Sequence, residues 1–246
     1  MKAIRALIPR AAKSFLKRFL YRHLLTTSQA GQDYWIYGEA FNEKKGGYFL
    51  DVGAYNGIVF SNTYILESRY NWSGICIEAN PIVFKDLIKN RRTVCLNVCL
   101  DKSEGEVPFV LRSAAGGIVD QDVDNKEPGT NNVIRMKTVS LNSVLEDQHA
   151  PSVIDYLSID VEGAEERILS GFDFHKYTFR CVTIERPTEL LKSLFKDHGY
   201  VLIKEISMLD CFYVHKDFLK EYESNLFSFY KKKNLAIHWR CRFISP

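Results

Sequence analysis

Two carboxylates at the ends of apolar runs carry the first chemical information in this chain. The run Tyr48-Phe49-Leu50-Asp51-Val52 opens onto Gly53-Ala54-Tyr55-Asn56-Gly57, and a second run, Ser73-Gly74-Ile75-Cys76-Ile77, ends on Glu78 before breaking at Pro81. In an open α/β sheet, ligands bind outside the carboxyl ends of the strands, so both acids are expected at such an edge. The spacing D-x-G-x-x-x-G is not the G-x-G-x-x-G that cradles a dinucleotide pyrophosphate. The loop instead predicts backbone N–H groups offered to a ligand, beside an acid suited to a positive charge and an amino group. Glu78 follows Asp51 by 27 residues with a helix-like segment between them, the place from which an acid accepts both hydroxyls of a ribose. A cationic nucleoside answers both acids, and S-adenosylmethionine (SAM) is such a ligand.

Three more acids fall at predicted strand ends. Asp160 ends a fourth run, Glu185 a fifth, and Asp210 lies in a tight connection after the sixth. Methyl transfer to an alcohol needs an in-line arrangement and an outlet for the proton of a weakly nucleophilic hydroxyl. A carboxylate cluster provides that outlet by holding Mg²⁺ or Mn²⁺, which lowers the hydroxyl's pKa. Alternatively, some of these acids bond the SAM amino group or the acceptor's hydroxyls. Both roles stay open for Asp160, Glu185 and Asp210, the catalytic and metal-ligand candidates. No histidine stands where a base is needed.

The elements that must position these acids follow from periodicity. Strand-like runs occur at 48–53, 74–79, 93–100, 156–161, 180–185, 200–206 and 211–215, and helical patterns at 28–41, 61–69, 82–90, 141–147, 163–170 and 188–198. Such alternation predicts a mainly parallel sheet covered on both faces. The last two runs are separated by only Ser207–Asp210, too short for a parallel crossover, so they form an antiparallel hairpin. Seven strands with an antiparallel last strand is the Rossmann-like pattern of class I methyltransferases. Val107–Leu111 and Val133–Val139 read as extra strands flanking the polar stretch 112–132, which is expected to face a substrate.

At 246 residues the chain suits one α/β domain, divided as a basic extension (1–27), the domain (28–215) and a basic, aromatic C-terminal extension (216–246). Net charge is only +3, yet Lys2, Arg5, Arg10, Lys13, Lys17, Arg18 and Arg22 precede any acid. With Ile4, Ile8, Ala11, Phe15 and Phe19 at helical spacing, residues 1–25 predict a basic amphipathic helix. It either caps the domain or makes peripheral contact with an anionic membrane surface. No run is long enough to span a bilayer. Six cysteines without C-x-x-C spacing suit a reducing compartment, hence the cytoplasm or the inner face of a membrane. The oligomeric state is not legible.

Several motifs now fall in order: Ser28-Gln29-Ala30-Gly31-Gln32-Asp33, Phe49-Leu50-Asp51-Val52-Gly53-Ala54, Ser61-Asn62-Thr63, Ile77-Glu78-Ala79-Asn80-Pro81 and Leu157-Ser158-Ile159-Asp160-Val161-Glu162-Gly163-Ala164-Glu165. Together they closely resemble the FkbM family of SAM-dependent methyltransferases, over about 28–215. The resemblance implies a class I fold and O-methylation of a hydroxyl on a sugar, glycan or related small molecule. It implies cofactor contacts at Gln29, Asp51, Gly53, Ala54, Asn56, Ser61, Asn62, Glu78, Ala79, Asn80, Leu100, Asp160 and Glu162. Tyr55 departs from the family's small polar residue and alters the loop surface. An NAD(P)-dependent oxidoreductase is disfavoured by the missing dinucleotide fingerprint, and a non-catalytic SAM-binding protein by the retained acids. Nucleic acid is not expected as a partner, since no N-P-P-Y/F-type motif follows the fourth strand.

Overall fold

The computed structural model describes residues 26–126 and 132–234. The expectations for residues 1–25, including membrane contact, lie outside this range. Among the described residues, no helix is long and apolar enough to cross a membrane.

Among the described residues, eleven strands form two sheets. Seven of them, β1 (Tyr48–Val52), β2 (Ser73–Ile77), β3 (Val94–Leu96), β8 (Val153–Ile159), β9 (Thr178–Glu185), β10 (Tyr200–Glu205) and β11 (Asp210–His215), build the main sheet in the order β10-β11-β9-β8-β1-β2-β3. All are parallel except β11, which runs antiparallel to both β9 and β10. This is the expected α/β class I methyltransferase sheet. Its order reverses direction at β1 and β8, the switch point where a crevice opens at the carboxyl edge.

Alternation along the strands sends side chains to two cores. Leu50, Val52, Ile75, Ile77, Leu157 and Ile159 face one way with Ile168, Leu169 and Phe195. Phe49, Cys76, Tyr156, Cys181 and Phe212 face the other, under Trp35, Tyr37, Leu66, Leu87 and Phe229. Three helix starts are fixed by side chains: Asn80 accepts from the Ile82 N–H, Ser140 from Ser143 and Thr188 from Leu191.

Three differences from the sequence-based expectation have physical causes. The run 93–100 is not one strand. Asn97 turns its side-chain amide onto the Glu78 and Ala79 carbonyls, and the chain leaves the main sheet there. It resumes as β4 (Cys99–Leu100), which joins β5 (Gly105–Val110), β6 (Gly117–Ile118) and β7 (Val133–Val139) in a second, four-stranded sheet. The segment 28–41 becomes helical only at Gln32, and Trp35–Ala40 widens into a π-helix. The 216–246 extension contributes a helix, Leu219–Lys233, that buries Tyr222, Phe229 and Tyr230 against the segment Trp35–Ala40. These three aromatic residues are therefore core residues, whereas Phe227 on the same helix is exposed.

Candidate active site

A cleft with two lobes opens at the carboxyl edge beside β1, β2 and β8. One lobe, about 580 Å³, is lined by Glu78, Ala79, Leu100, Phe109, Ile118 and Ala164 among others. The second, about 630 Å³, is lined by Gln29, Asp51, Ala54, Ser61, Asn62, Ser158 and Glu185 among others. Gly53, Tyr55, Ala114, Asp160 and Glu162 border both. Neither lobe has a histidine in its lining.

The glycine loop does not work as the sequence suggests. Two of its N–H groups are already used within the fold: those of Gly53 and Ala54 both donate to the Ile77 carbonyl at 3.0 Å. Gly53 is required because a Cβ there would stand 1.8 Å from the Asp160 carbonyl oxygen, with φ at 84°. The loop thereby stitches β1, β2 and β8 together at the floor of the cleft. Tyr55, at φ 48°, donates its N–H to Glu78 Oε2 at 2.9 Å, and Asn80 donates to Oε1 at 2.7 Å. Glu78 is thus held by both oxygens, each with a lone pair left for the lobe. Burial raises its pKa against the pull of these two N–H groups.

Asp51 is buried and bonded on two sides. Thr63 Oγ1 donates to its Oδ2 at 2.5 Å, Ser158 also bonds it, and Asn62 Nδ2 donates to Ser158 Oγ at 3.0 Å. That leaves Asn62 Oδ1 buried without a partner, on a residue that lines the polar lobe. An orphaned acceptor costs desolvation energy unless a ligand donor reaches it.

Two of the three proposed catalytic acids come together, and the third does not. Asp160 and Glu185 approach closely, and Glu165 joins them, with carboxylate oxygens of all three within 4.8 Å of one another. Burial first, then the neighbouring Glu185 carboxylate, pushes the Asp160 pKa well above the usual carboxylate range. Burial raises Glu165 to about 7, although the Val161 N–H donates to its Oε1 at 2.8 Å. Asp210 pairs with Glu185 across β11 and β9, but its Oδ2 is taken by Gln32 Nε2 and it lines neither lobe. The structure does not bring it into the cluster of Asp160, Glu165 and Glu185. Arg186, missed in the sequence, follows β9 and reaches Glu185 at 3.0 Å, Asp124 at 2.5 Å and Glu162 at 3.8 Å.

Two of the expected cofactor contacts also lie outside the cleft lining. Asn56 spends its side-chain oxygen on the Ile58 and Val59 N–H groups, and Asn80 caps its helix while donating to the Arg112 carbonyl. Gln29, Asp51, Gly53, Ala54, Ser61, Asn62, Glu78, Ala79, Leu100, Asp160 and Glu162 do line it. The polar insertion contributes Ser113, Ala114, Gly116, Gly117 and Ile118, chiefly to the first lobe. Tyr55 Oη and Ser113 Oγ meet at 2.9 Å across its mouth.

The Glu165 shift gives a pH-dependent prediction. A carboxyl raised from 4.5 to about 7 stabilises the fold fully below pH ~4.5, and that contribution is lost as pH rises through about 7. Glu165→Gln is therefore expected to stabilise the ligand-free protein above pH 7, by up to about 3 kcal/mol, and to change little near pH 4. Denaturant titrations at the two pH values check this.

The sequence matches the model of the methyltransferase FkbM domain over residues 51–202. Among curated proteins, none matches. The solved structures it is similar to include two methyltransferases. One is a precorrin-6y C5,15-methyltransferase from Geobacter metallireducens GS-15, 14% identical, covering 78% of this chain and 90% of that one, with a TM-score of 0.40. The other is a delta-N METTL16 MTase domain, 9% identical, covering 85% and 97%, with a TM-score of 0.37. The family assignment rests on the first match alone, which takes in more than half of the chain and every acid at the cleft. The chain belongs to the FkbM methyltransferase family and is a SAM-dependent methyltransferase.

Proposed function

We propose that the protein methylates a hydroxyl of a sugar, glycan or related small-molecule acceptor. The observation that carries this reading is the Asp160–Glu185 pair beside the polar lobe, in a cleft whose lining holds no histidine. SAM brings a methyl group already activated by its sulfonium. The chain's residues have to hold that ligand and take up the acceptor's proton. Glu78 accepts the ribose hydroxyls in the first lobe, where Ala79, Leu100 and Ile118 flank the base. Asp51 and the orphaned Asn62 Oδ1 accept the ammonium group in the second. The fit is supported by the two lobes meeting at Gly53 and Asp160, so that a bent nucleoside–amino acid ligand passes over the floor of the cleft.

Crowding makes the acid pair a proton acceptor. Two carboxylates in contact share a proton, because the second charge is costly beside the first. The ionised member takes the proton of an acceptor hydroxyl during transfer, and Arg186, within reach of Glu185, limits the charge that accumulates. A second reading has one observation in its favour. The oxygens of Asp160, Glu165 and Glu185 are spaced for a divalent cation such as Mg²⁺ or Mn²⁺, a hard ion suited to oxygen ligands.

The acceptor test is incubation of the pure protein with methyl-labelled SAM and panels of glycans and small alcohols. Transfer to a hydroxyl supports the proposal, and transfer only to nitrogen or carbon acceptors overturns it. With an acceptor in hand, EDTA separates the two roles of the acids. Turnover is expected to persist in excess EDTA; its loss, with recovery in Mg²⁺ or Mn²⁺, would assign the cluster to a cation instead.

A further inference from the structure

We propose that Arg91 is a positioning residue for the cofactor site: its guanidinium locks Asp51 and the Ser61–Thr63 turn in the arrangement that receives the ammonium end of SAM. The inference rests on the assignment of Asp51 and Asn62 to that ammonium group.

Arg91 follows the helix Pro81–Asn90, and its side chain is fully buried. Three of its hydrogen bonds reach the loop between β1 and the helix Tyr64–Tyr70, and a fourth reaches Glu67 on that helix. Nη2 donates to Thr63 Oγ1 at 3.0 Å, and Nη1 donates to the Gly57 carbonyl and Ser61 Oγ, both at 3.4 Å. Nε donates to Glu67 Oε2 at 2.5 Å, and Nη1 stands 3.8 Å from Asp51 Oδ2. Because Thr63 Oγ1 accepts from Arg91, its own proton is directed at Asp51 Oδ2. The arginine thus fixes the strand-end acid through the threonine and fixes the turn carrying Asn62 from both sides. Gly57 makes room for it: a Cβ there would lie 2.6 Å from Arg91 Cγ.

Neither Arg91, Glu67 nor Thr63 lines the cleft, so the three act through Asp51 and Ser61. A buried ion pair is seldom the most stable filling for a core site, and an apolar pair of similar volume often does as well. The donors here are instead aimed at a ligand-binding loop. Charge supports the geometry. Burial raises the Asp51 pKa and Arg91 is the largest influence lowering it. The other titratable or charged groups facing this region are Glu67 on the helix, Cys76 on β2, Glu78 at its end, Cys95 on β3, Tyr156 on β8 and Arg92, which pairs with Glu67.

Two variants of the full chain test the role. Glu67→Gln with Arg91→Met exchanges the ion pair for a neutral pair of similar size, and Thr63→Val removes only the hydroxyl link. Thermal denaturation establishes folding, and SAM binding is measured by calorimetry between pH 6 and 9. In both variants the Kd for SAM is expected to rise tenfold or more at pH 7. In the double variant the weakening should be greater at the low end of this pH range than at the high end, because Asp51 loses the largest influence that keeps it ionised. Arg91→Lys keeps the charge and should keep the wild-type pH dependence. Wild-type Kd and pH dependence in the folded variants would overturn the proposal, and if the double variant does not fold, Thr63→Val alone decides. Failure of the wild-type protein to bind SAM would instead overturn the cofactor assignment beneath it.

Discussion

Replacing Glu78 with alanine is expected to weaken SAM binding by on the order of a hundredfold or more, since two charge-assisted hydrogen bonds to a ribose contribute roughly 1.5–3 kcal/mol each. The carboxylate is pre-set for this task, because the Tyr55 and Asn80 N–H groups hold its two oxygens in one orientation. Removing it also leaves those two donors without their acceptor, which adds to the cost. Glu78→Gln separates the contributions: it keeps one acceptor oxygen and the side-chain shape, so its loss should be smaller. Calorimetric titration with SAM measures both. Unchanged affinity in Glu78→Ala would remove Glu78 from the cofactor site.

Asp160→Asn is expected to act on turnover rather than on SAM affinity. A positioned general base contributes typically about 10²–10⁴-fold, and the asparagine cannot take a proton while retaining nearly the same volume. The pair is competent once one of its two carboxyls is ionised, so the wild-type rate should rise with pH as that first proton leaves and then hold level. In the variant that rise should disappear. SAM affinity should stay within a few-fold, because Asp51 and Glu78 remain. A variant with the wild-type rate and pH profile would move the proton-accepting role elsewhere in the polar lobe.

Local order was readable from the chain, and long-range partnership was not. The apolar runs with acids at their ends gave the sheet edge, because alternation and breaks are properties of neighbouring residues. The four-residue link before β11 forced the hairpin by length alone. Asp210 was expected beside Asp160 and Glu185, but its Oδ2 is bonded to Gln32, 178 residues away, a partnership that no local pattern announces. Glu165 stood in a recognised motif, yet an acid after a glycine turn reads as a helix-start charge. Only packing reveals that it is buried beside Asp160. Asn56 and Asn80 sit beside the key acids in sequence, and turn and cap geometry draws their side chains away from the cleft. The insertion was expected to face a substrate; its residues Ser113, Ala114, Gly116, Gly117 and Ile118 line the cleft, through side chains that carry little chemical signature.

The closure of the Gly53 and Ala54 amides on the Ile77 carbonyl has a consequence for which ligands are rejected. A dinucleotide needs donors for its diphosphate. Here the loop has already spent two of them internally, and Asp51, Glu78, Asp160 and Glu162 surround the floor. A diphosphate would therefore meet like charge without compensating hydrogen bonds. The same field distinguishes reactant from product. SAM enters with a cationic sulfur and leaves as a neutral thioether, so the acids lose their attraction to the sulfur at the moment the methyl group departs. Affinity that falls as the reaction completes favours release, and turnover is eased by a charge pattern that requires no moving part.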